Sequence, residues 1–264
     1  MRIITLITDF GMRDHYAGVL KGVIWGITPN ARIADITHEI GPGDILHGAY
    51  VLRQCWSWYP AGSIHVAIVD PGVGTDRGII VGAYSGRFVV APDNGLVTLI
   101  HGDMSAEALY AVQNARYSAS TPSPTFHGRD IIAPIAAHLA AGVRPEEFGV
   151  AIAAPVMLPI ALEAESVGAD LRGSVLHVDR FGTLVTNIRH TQLAALSQGG
   201  AVVEVLVNDV AVGTIRSTFS DVPPGDPVAF IGSAGLLEIA INQGRAADRF
   251  APADSAAVRV RRGV

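Results

Sequence analysis

Three short strand-like runs, each closed by an aspartate, constrain the fold of this chain more than any other feature. Ile3–Thr8 leads to Asp9, Ala31–Asp35 ends on its own carboxylate, and Ile64–Val69 leads to Asp70. Ile3–Thr8, a continuous apolar run, is what a strand buried on both faces requires, and such strands belong to parallel sheets covered by helices. The stretches between them fit. Tyr16–Gly26 and Asp44–Trp58 read as helices, the second with its apolar residues on one stripe. Gly78–Ala83 and Arg87–Ala91 read as two more strands joined at Ser85-Gly86, and Asp130–Ala141 as a further helix. This β-α-β-α-β order predicts an α/β domain with a largely parallel sheet.

Between Ala153 and Gly168 the chain becomes Pro- and Ala-rich, with Pro155 and Pro159. The boundary is placed there: an α/β domain over residues 1–155, a linker over 156–170 and a β domain over 171–264. Beyond it come Val175–Val178, Thr183–Ile188, Val202–Val207, Ala211–Ile215, Pro227–Ile231, Leu236–Ile241 and Ala257–Val260. Glycine-containing turns separate most of these short runs, a spacing that predicts an antiparallel sandwich or small barrel. His190–Ala195 is the one helical stretch among them.

Composition removes several function classes. Of 264 residues 49% are hydrophobic and 16% charged, enough apolar material for a core and too much for disorder. The formal net charge is −5, Lys21 is the sole lysine, and basic residues cluster only at Arg259, Arg261 and Arg262. Phosphate neutralisation needs clustered cations, so nucleic acid is a poor partner. A single cysteine, Cys55, excludes an intrachain disulfide and a cysteine-based zinc site. The first apolar run reaches Asp9 too soon for a signal peptide, and no run approaches the roughly 20 residues of a membrane span. A soluble, cytoplasmic protein without a membrane partner is expected.

In parallel sheets ligands bind beyond the carboxyl ends of strands, which is where Asp9, Asp35 and Asp70 stand in this reading. A carboxylate there can accept from both hydroxyls of a ribose, or it can cap the next helix. The densest segment is Asp70-Pro71-Gly72-Val73-Gly74-Thr75-Asp76-Arg77-Gly78. Its proline and glycines favour a tight loop that presents Asp70 and Arg77 to one pocket or merely closes on a salt bridge. It is neither a Walker loop nor a dinucleotide fingerprint. Thr125-Phe126-His127-Gly128-Arg129-Asp130 places His127 just before a helix, and Asn94-Gly95 reads as a turn. In the second half Asn187 and Ser233 are polar groups at strand ends that can serve a ligand or a turn.

The motifs taken together are more specific than any one. Thr8-Asp9-Phe10-Gly11, Val69-Asp70-Pro71-Gly72-Val73-Gly74, Phe126-His127-Gly128-Arg129-Asp130, Phe181-Gly182 with Thr186-Asn187-Ile188, and Ser233 with Gly235-Leu236-Leu237-Glu238 occur in this order. Over nearly the whole chain this set resembles the S-adenosyl-L-methionine hydroxide adenosyltransferase family, related to the fluorinases and chlorinases. The resemblance implies an N-terminal α/β domain, a smaller C-terminal β-barrel-like domain, and a homotrimer with the active site between neighbouring subunits. It implies hydrolysis of S-adenosylmethionine to adenosine and methionine, with Asp70, Arg77 and His127 as the catalytic set. Asp9 falls on the ribose-binding position, and Asn187, Ser233 and Glu238 on contacts from the second domain. The halogenating relatives lack the Asp–Arg pair, carry Tyr-Ser where this chain has His127-Gly128, and bear an extra loop.

That chemistry suits these side chains. The sulfonium is already a good leaving group, so the demand falls on the nucleophile: water must lose a proton and be aimed at C5′. A cationic Arg77 can stabilise hydroxide character, His127 can accept or relay a proton, and Asp70 can orient the pair, with Asp70 and His127 both open as the proton acceptor. No metal and no cofactor is expected. Three readings compete: a metal-dependent phosphoesterase using Asp9, Asp70, Asp93, His38, His47 and His127, a non-catalytic adenosine-binding module, and a chloride transferase of the same fold.

Overall fold

In the computed structural model, which describes residues 2–198, 201–252 and 256–263, the chain forms two compact units, residues 1–159 and 160–264. The first contains, in order, β1 (Ile3–Thr8), α1 (Tyr16–Ile27), β2 (Arg32–Thr37), α2 (Ile45–Trp56), β3 (Ile64–Ile68), β4 (Ile79–Tyr84), β5 (Arg87–Pro92), α3 (Thr98–Asp103), β6 (Ala108–Val112), α4 (Ala133–Ala140) and β7 (Gly149–Ala151). The sheet order is β2-β1-β3-β5-β4-β6-β7. The four strands from β2 to β5 run parallel, and β4, β6 and β7 add antiparallel pairings.

Alternate residues of the central strands feed two cores. Ile4, Leu6, Ile64, Val66 and Ile68 join Leu20 and Ile24 of α1 and Ile135, Ala136 and Leu139 of α4. Ile7, Ala67 and Val69 meet Leu52 and Trp56 of α2 and Ile100 of α3 on the opposite face. Burial on both faces is why β1 and β3 could be read as continuous apolar runs. Helix α2 is opened by Asp44, whose side chain accepts from the His47 backbone N–H at 2.9 Å.

Two expectations change. Asp35 does not stand beyond a strand, because the edge strand β2 continues to Thr37. There Asp35 pairs with Lys21 at 2.5 Å and lies 3.2 Å from His38. The helix expected over Asp130–Ala141 begins instead with a π-turn over Gly128–Ile132, directly after His127, before α4 proper. Such wide turns concentrate at functional sites.

The second unit contains β8 (Glu165–Val167), β9 (Asp170–Val178), β10 (Leu184–Arg189), α5 (His190–Leu196), β11 (Val203–Val207), β12 (Val210–Arg216), β13 (Pro227–Ile231), β14 (Leu236–Ile241), α6 (Ala246–Arg249) and β15 (Ala257–Arg262). Seven strands close in the order β10-β14-β13-β12-β11-β15-β9, with β9 returning to β10 and β8 attached outside the ring. This is a small β-barrel filled by Val175, Leu184, Ile188, Val205, Leu237, Ile239 and Val258. One pairing departs from the antiparallel expectation: β12 and β13 run parallel, with Ile215 opposite Ala229. Among the described residues no helix is long and apolar enough to cross a membrane.

Candidate functional site

Parallel pairing puts the carboxyl ends of β1 and β3 side by side. Thr8 lies opposite Ile68, and the Asp9 backbone N–H donates to the Ile68 carbonyl at 3.4 Å. Asp9 and Asp70, 61 positions apart in the chain, thereby open onto one cavity of about 310 Å³. Its wall also includes Phe10, Pro42-Gly43, Phe126 and His127. Asp9 does not cap α1; its Oδ2 accepts from the Gly43 backbone N–H at 2.9 Å, which ties the Gly41-Pro42-Gly43 turn to the end of β1.

The loop after β3 folds back through two tight turns. Val73 N–H donates to the Asp70 carbonyl at 3.2 Å, and Thr75 caps Gly72 through both its N–H, at 3.1 Å, and its hydroxyl, at 2.7 Å. Gly74 has φ +82°, and a Cβ there would stand 2.5 Å from the Pro124 carbonyl oxygen, so only glycine fits. This path returns Arg77 to Asp70. Arg77 Nε donates to Oδ1 at 2.9 Å and Oδ2 at 3.0 Å, and its Nη2 donates to Oδ2 as well. The two side chains are only 10% and 7% exposed. The same Nη2 donates to His127 Nδ1 at 2.8 Å.

Since a guanidinium has no acceptor, Nδ1 must be the unprotonated nitrogen of His127, and a neutral ring carries its proton on Nε2. Burial first, and the adjacent Arg77 charge second, hold the His127 pKa below its ordinary value, while Asp70 and Asp130 oppose the shift. Asp130, buried one turn further on, accepts from Arg129 Nε at 2.6 Å and from the Ser123 backbone N–H at 2.8 Å, fixing the segment that carries Phe126 and His127. Phe10, Tyr16 and Phe126 form an aromatic cluster at the cavity, with ring centroids 5.3–5.9 Å apart.

The structure thus brings Asp9, Asp70, Arg77 and His127 together within the first unit. Arg77 stands behind Asp70 rather than on the wall of the large cavity. Sequence reasoning passed over the Gly41-Pro42-Gly43 wall, although its Pro-Gly composition just before the Asp44 cap is a turn signal.

Asn187, Ser233 and Glu238 lie in the second unit. Asn187 on β10 is buried, and its amide accepts from the Ser174 N–H at 2.8 Å and donates to the Ala161 carbonyl at 3.0 Å. Ser233 is exposed in the turn between β13 and β14, closed by Gly235 N–H on the Gly232 carbonyl at 2.9 Å. Glu238 on β14 lies opposite Val185, its carboxylate against Gly232, where a Cβ would stand 1.8 Å from Oε1. Burial, and then the charge of Asp179, push its pKa up. Among the described residues no group of three or more His, Cys, Asp and Glu stands where it could hold a metal ion.

Comparison with known proteins matches two family models to this chain. The N-terminal domain of the SAM hydroxide adenosyltransferases matches residues 4–149, and their C-terminal domain matches residues 173–259. An (R)-S-adenosyl-L-methionine hydrolase of Thermus thermophilus is 38% identical over 98% of this chain and all of that protein. A fluorinase of an Actinoplanes species is 30% identical over 91% of each. The crystal structure of a conserved protein from Thermotoga maritima superposes with a TM-score of 0.91 at 34% identity, covering 98% of this chain and all of that one.

Proposed function

The chain belongs to the SAM hydroxide adenosyltransferase family, both of whose domain models it matches, and from that premise we infer how its cavity works. The protein hydrolyses S-adenosyl-L-methionine to adenosine and L-methionine, as its hydrolase relatives are named to do. What supports the reading in this chain is the buried Asp70–Arg77–His127 arrangement beside the cavity that Asp9 also lines.

In the reaction a water oxygen forms a bond to C5′ as the C5′–S bond breaks. The electron pair leaves with sulfur, so methionine departs as a neutral thioether and needs no general acid. The oxygen becomes strongly acidic as the C–O bond forms, so a carboxylate is base enough to take its proton. Asp70 fills that role: it faces the cavity, whereas His127 has its one lone pair committed to Arg77. His127 offers its Nε2–H to the water oxygen and so helps aim it. Arg77 is the positioning residue, since it holds both partners and does not line the cavity. Holding nucleophile and carbon in line removes roughly 7–11 kcal/mol of barrier in well-oriented systems. Asp9, its Oδ2 steadied by Gly43, is placed to accept from the ribose hydroxyls.

The reading includes a cytoplasmic homotrimer in which Asn187, Ser233 and Glu238 of one subunit complete the cavity of its neighbour. It includes no metal and no cofactor, because a cationic electrophile needs no Lewis acid. One experiment separates the alternatives: chelated protein is incubated with S-adenosylmethionine in chloride buffer and the nucleoside identified. Adenosine with stoichiometric methionine is expected. Formation of 5′-chloro-5′-deoxyadenosine would establish halide transfer, intact bound substrate a binding module, and activity lost on chelation a metal enzyme.

A further inference from the structure

A second cavity, of about 260 Å³, adjoins Arg77 and His127. It is lined by Arg77, Gln113, Asn114, Ala115, Ser118 and His127, among others. The division of the three residues is informative. Asp70 lines the first cavity, Arg77 lines the second, and His127 lines both. The two spaces therefore share the His127 side chain as a common wall.

The second space can hold water. At roughly 30 Å³ per molecule it has room for several waters, and a buried water needs two to four polar partners. Arg77, Gln113, Asn114 and Ser118 supply them. The Asn114 amide and the Ser118 hydroxyl are already bonded to Glu147 and Ala115 carbonyls, at 2.8 and 3.1 Å, which fixes this rim. Gln113, at its mouth, is exposed.

Displacement at C5′ imposes a requirement that the first cavity alone does not meet. The nucleophile must sit on the face of carbon opposite sulfur, beside Asp70 and His127. A substrate that fills the cavity lies between that point and the mouth through which it came. Water that is not already in place when substrate binds needs another way in, and the second cavity, lined by Arg77 and His127, adjoins the Asp70–Arg77–His127 layer.

We propose that the cavity bounded by Val112–Ser118, Arg77 and His127 is a water port, through which the nucleophile reaches the reaction centre by a route separate from the substrate's. The proposal rests on the hydrolase reading above. Residues 113–118 do not line the cavity of Asp9 and Asp70, so they can be changed without altering its wall.

The test obstructs the port from its rim with Ala115→Trp and, separately, Ser118→Leu. Crystal structures confirm which variant fills the space. Wild-type protein is assayed first: if it makes no adenosine, the hydrolase reading fails and the port is not in question. Given wild-type activity, an obstructed variant should bind S-adenosylmethionine with Kd within about twofold of wild type while kcat falls about tenfold or more. Widening the mouth with Gln113→Ala should leave both constants unchanged. An obstructed cavity with unchanged kcat overturns the proposal, because water would then enter with the substrate. A parallel loss of affinity and turnover also overturns it, since the space would then belong to the substrate.

Discussion

Replacing Arg77 by methionine tests the site through its energetics. The substitution keeps most of the aliphatic stem and removes the guanidinium that donates to both Asp70 oxygens and to His127. Asp70 is 7% exposed and meets solvent only through the cavity it lines, so water replaces those bonds incompletely. Removing one partner of a buried pair costs roughly 3–5 kcal/mol, because the surviving charge is left desolvated and unpaired. Replacing both should cost less than the two singles together. Asp70→Asn with Arg77→Met is a neutral pair of similar shape, and the cycle should show a coupling of roughly 2–3 kcal/mol.

The assay is urea unfolding followed by tryptophan fluorescence. All three tryptophans, Trp25, Trp56 and Trp58, belong to the first unit, so the signal reports the unit that holds the pair. Protein concentration is held fixed, so that any self-association contributes equally to each variant. In turnover each single variant should lose about a hundredfold or more, with the double no worse than the poorer single, because the residues act as one unit. Stability losses that add to within about 0.5 kcal/mol would refute the reasoning, since they would mean that Asp70 and Arg77 do not depend on each other.

Two predictions concern pH. His127 must be neutral to accept from Arg77, and burial together with that cation lowers its pKa, so kcat/KM should stay flat through neutrality and fall only below the ordinary histidine value of 6.5. A limb centred at pH 7 or above in the steady-state profile would contradict this. His65 is fully buried between Thr5, 2.8 Å from Nδ1, and the Trp56 ring, and burial, with a smaller contribution from Arg87, brings its pKa down to about 4. A lowered folded-state pKa means that the unfolded chain binds the proton first. The His65 contribution is therefore whole above pH 6.5 and drains away as pH falls toward 4, by about 3 kcal/mol in all. Urea titrations at pH 7 and 4.5 should show wild type losing more stability than His65→Gln, and an equal loss would count against it.

How much of this was legible in the sequence depended on how many residues each feature engages. β1 and β3 are buried on both faces over five or six residues, so composition alone announced them. α3 is six residues long, β7 three, and β6 reads Ala-Leu-Tyr-Ala-Val, all too short or too mixed to show a period. They went unread for that reason. Asp35 was misplaced because the edge strand β2 is half exposed and its polar residues resemble a strand end. Periodicity marks β12 and β13 as strands but carries no direction, so their parallel pairing came only with the closed barrel.

The site divides in the same way. That Asp9 and Asp70 share a cavity follows from strand parallelism, a rule that needs only the sheet order. That Arg77 lies behind Asp70 and not on the wall of the Asp9–Asp70 cavity follows from the return path of one loop, which Gly74 permits by lying against Pro124. That His127 faces two spaces follows from a π-turn, one residue wider than the helix expected there. A displacement enzyme must deliver two reactants to opposite faces of one carbon. The features that decide the second delivery route are a single left-handed glycine and one extra residue in a helical turn. Neither alters the apolar pattern by which a fold is read, so chemistry can be altered here with the architecture unchanged. The rim variants at Ala115 and Ser118 probe that route directly.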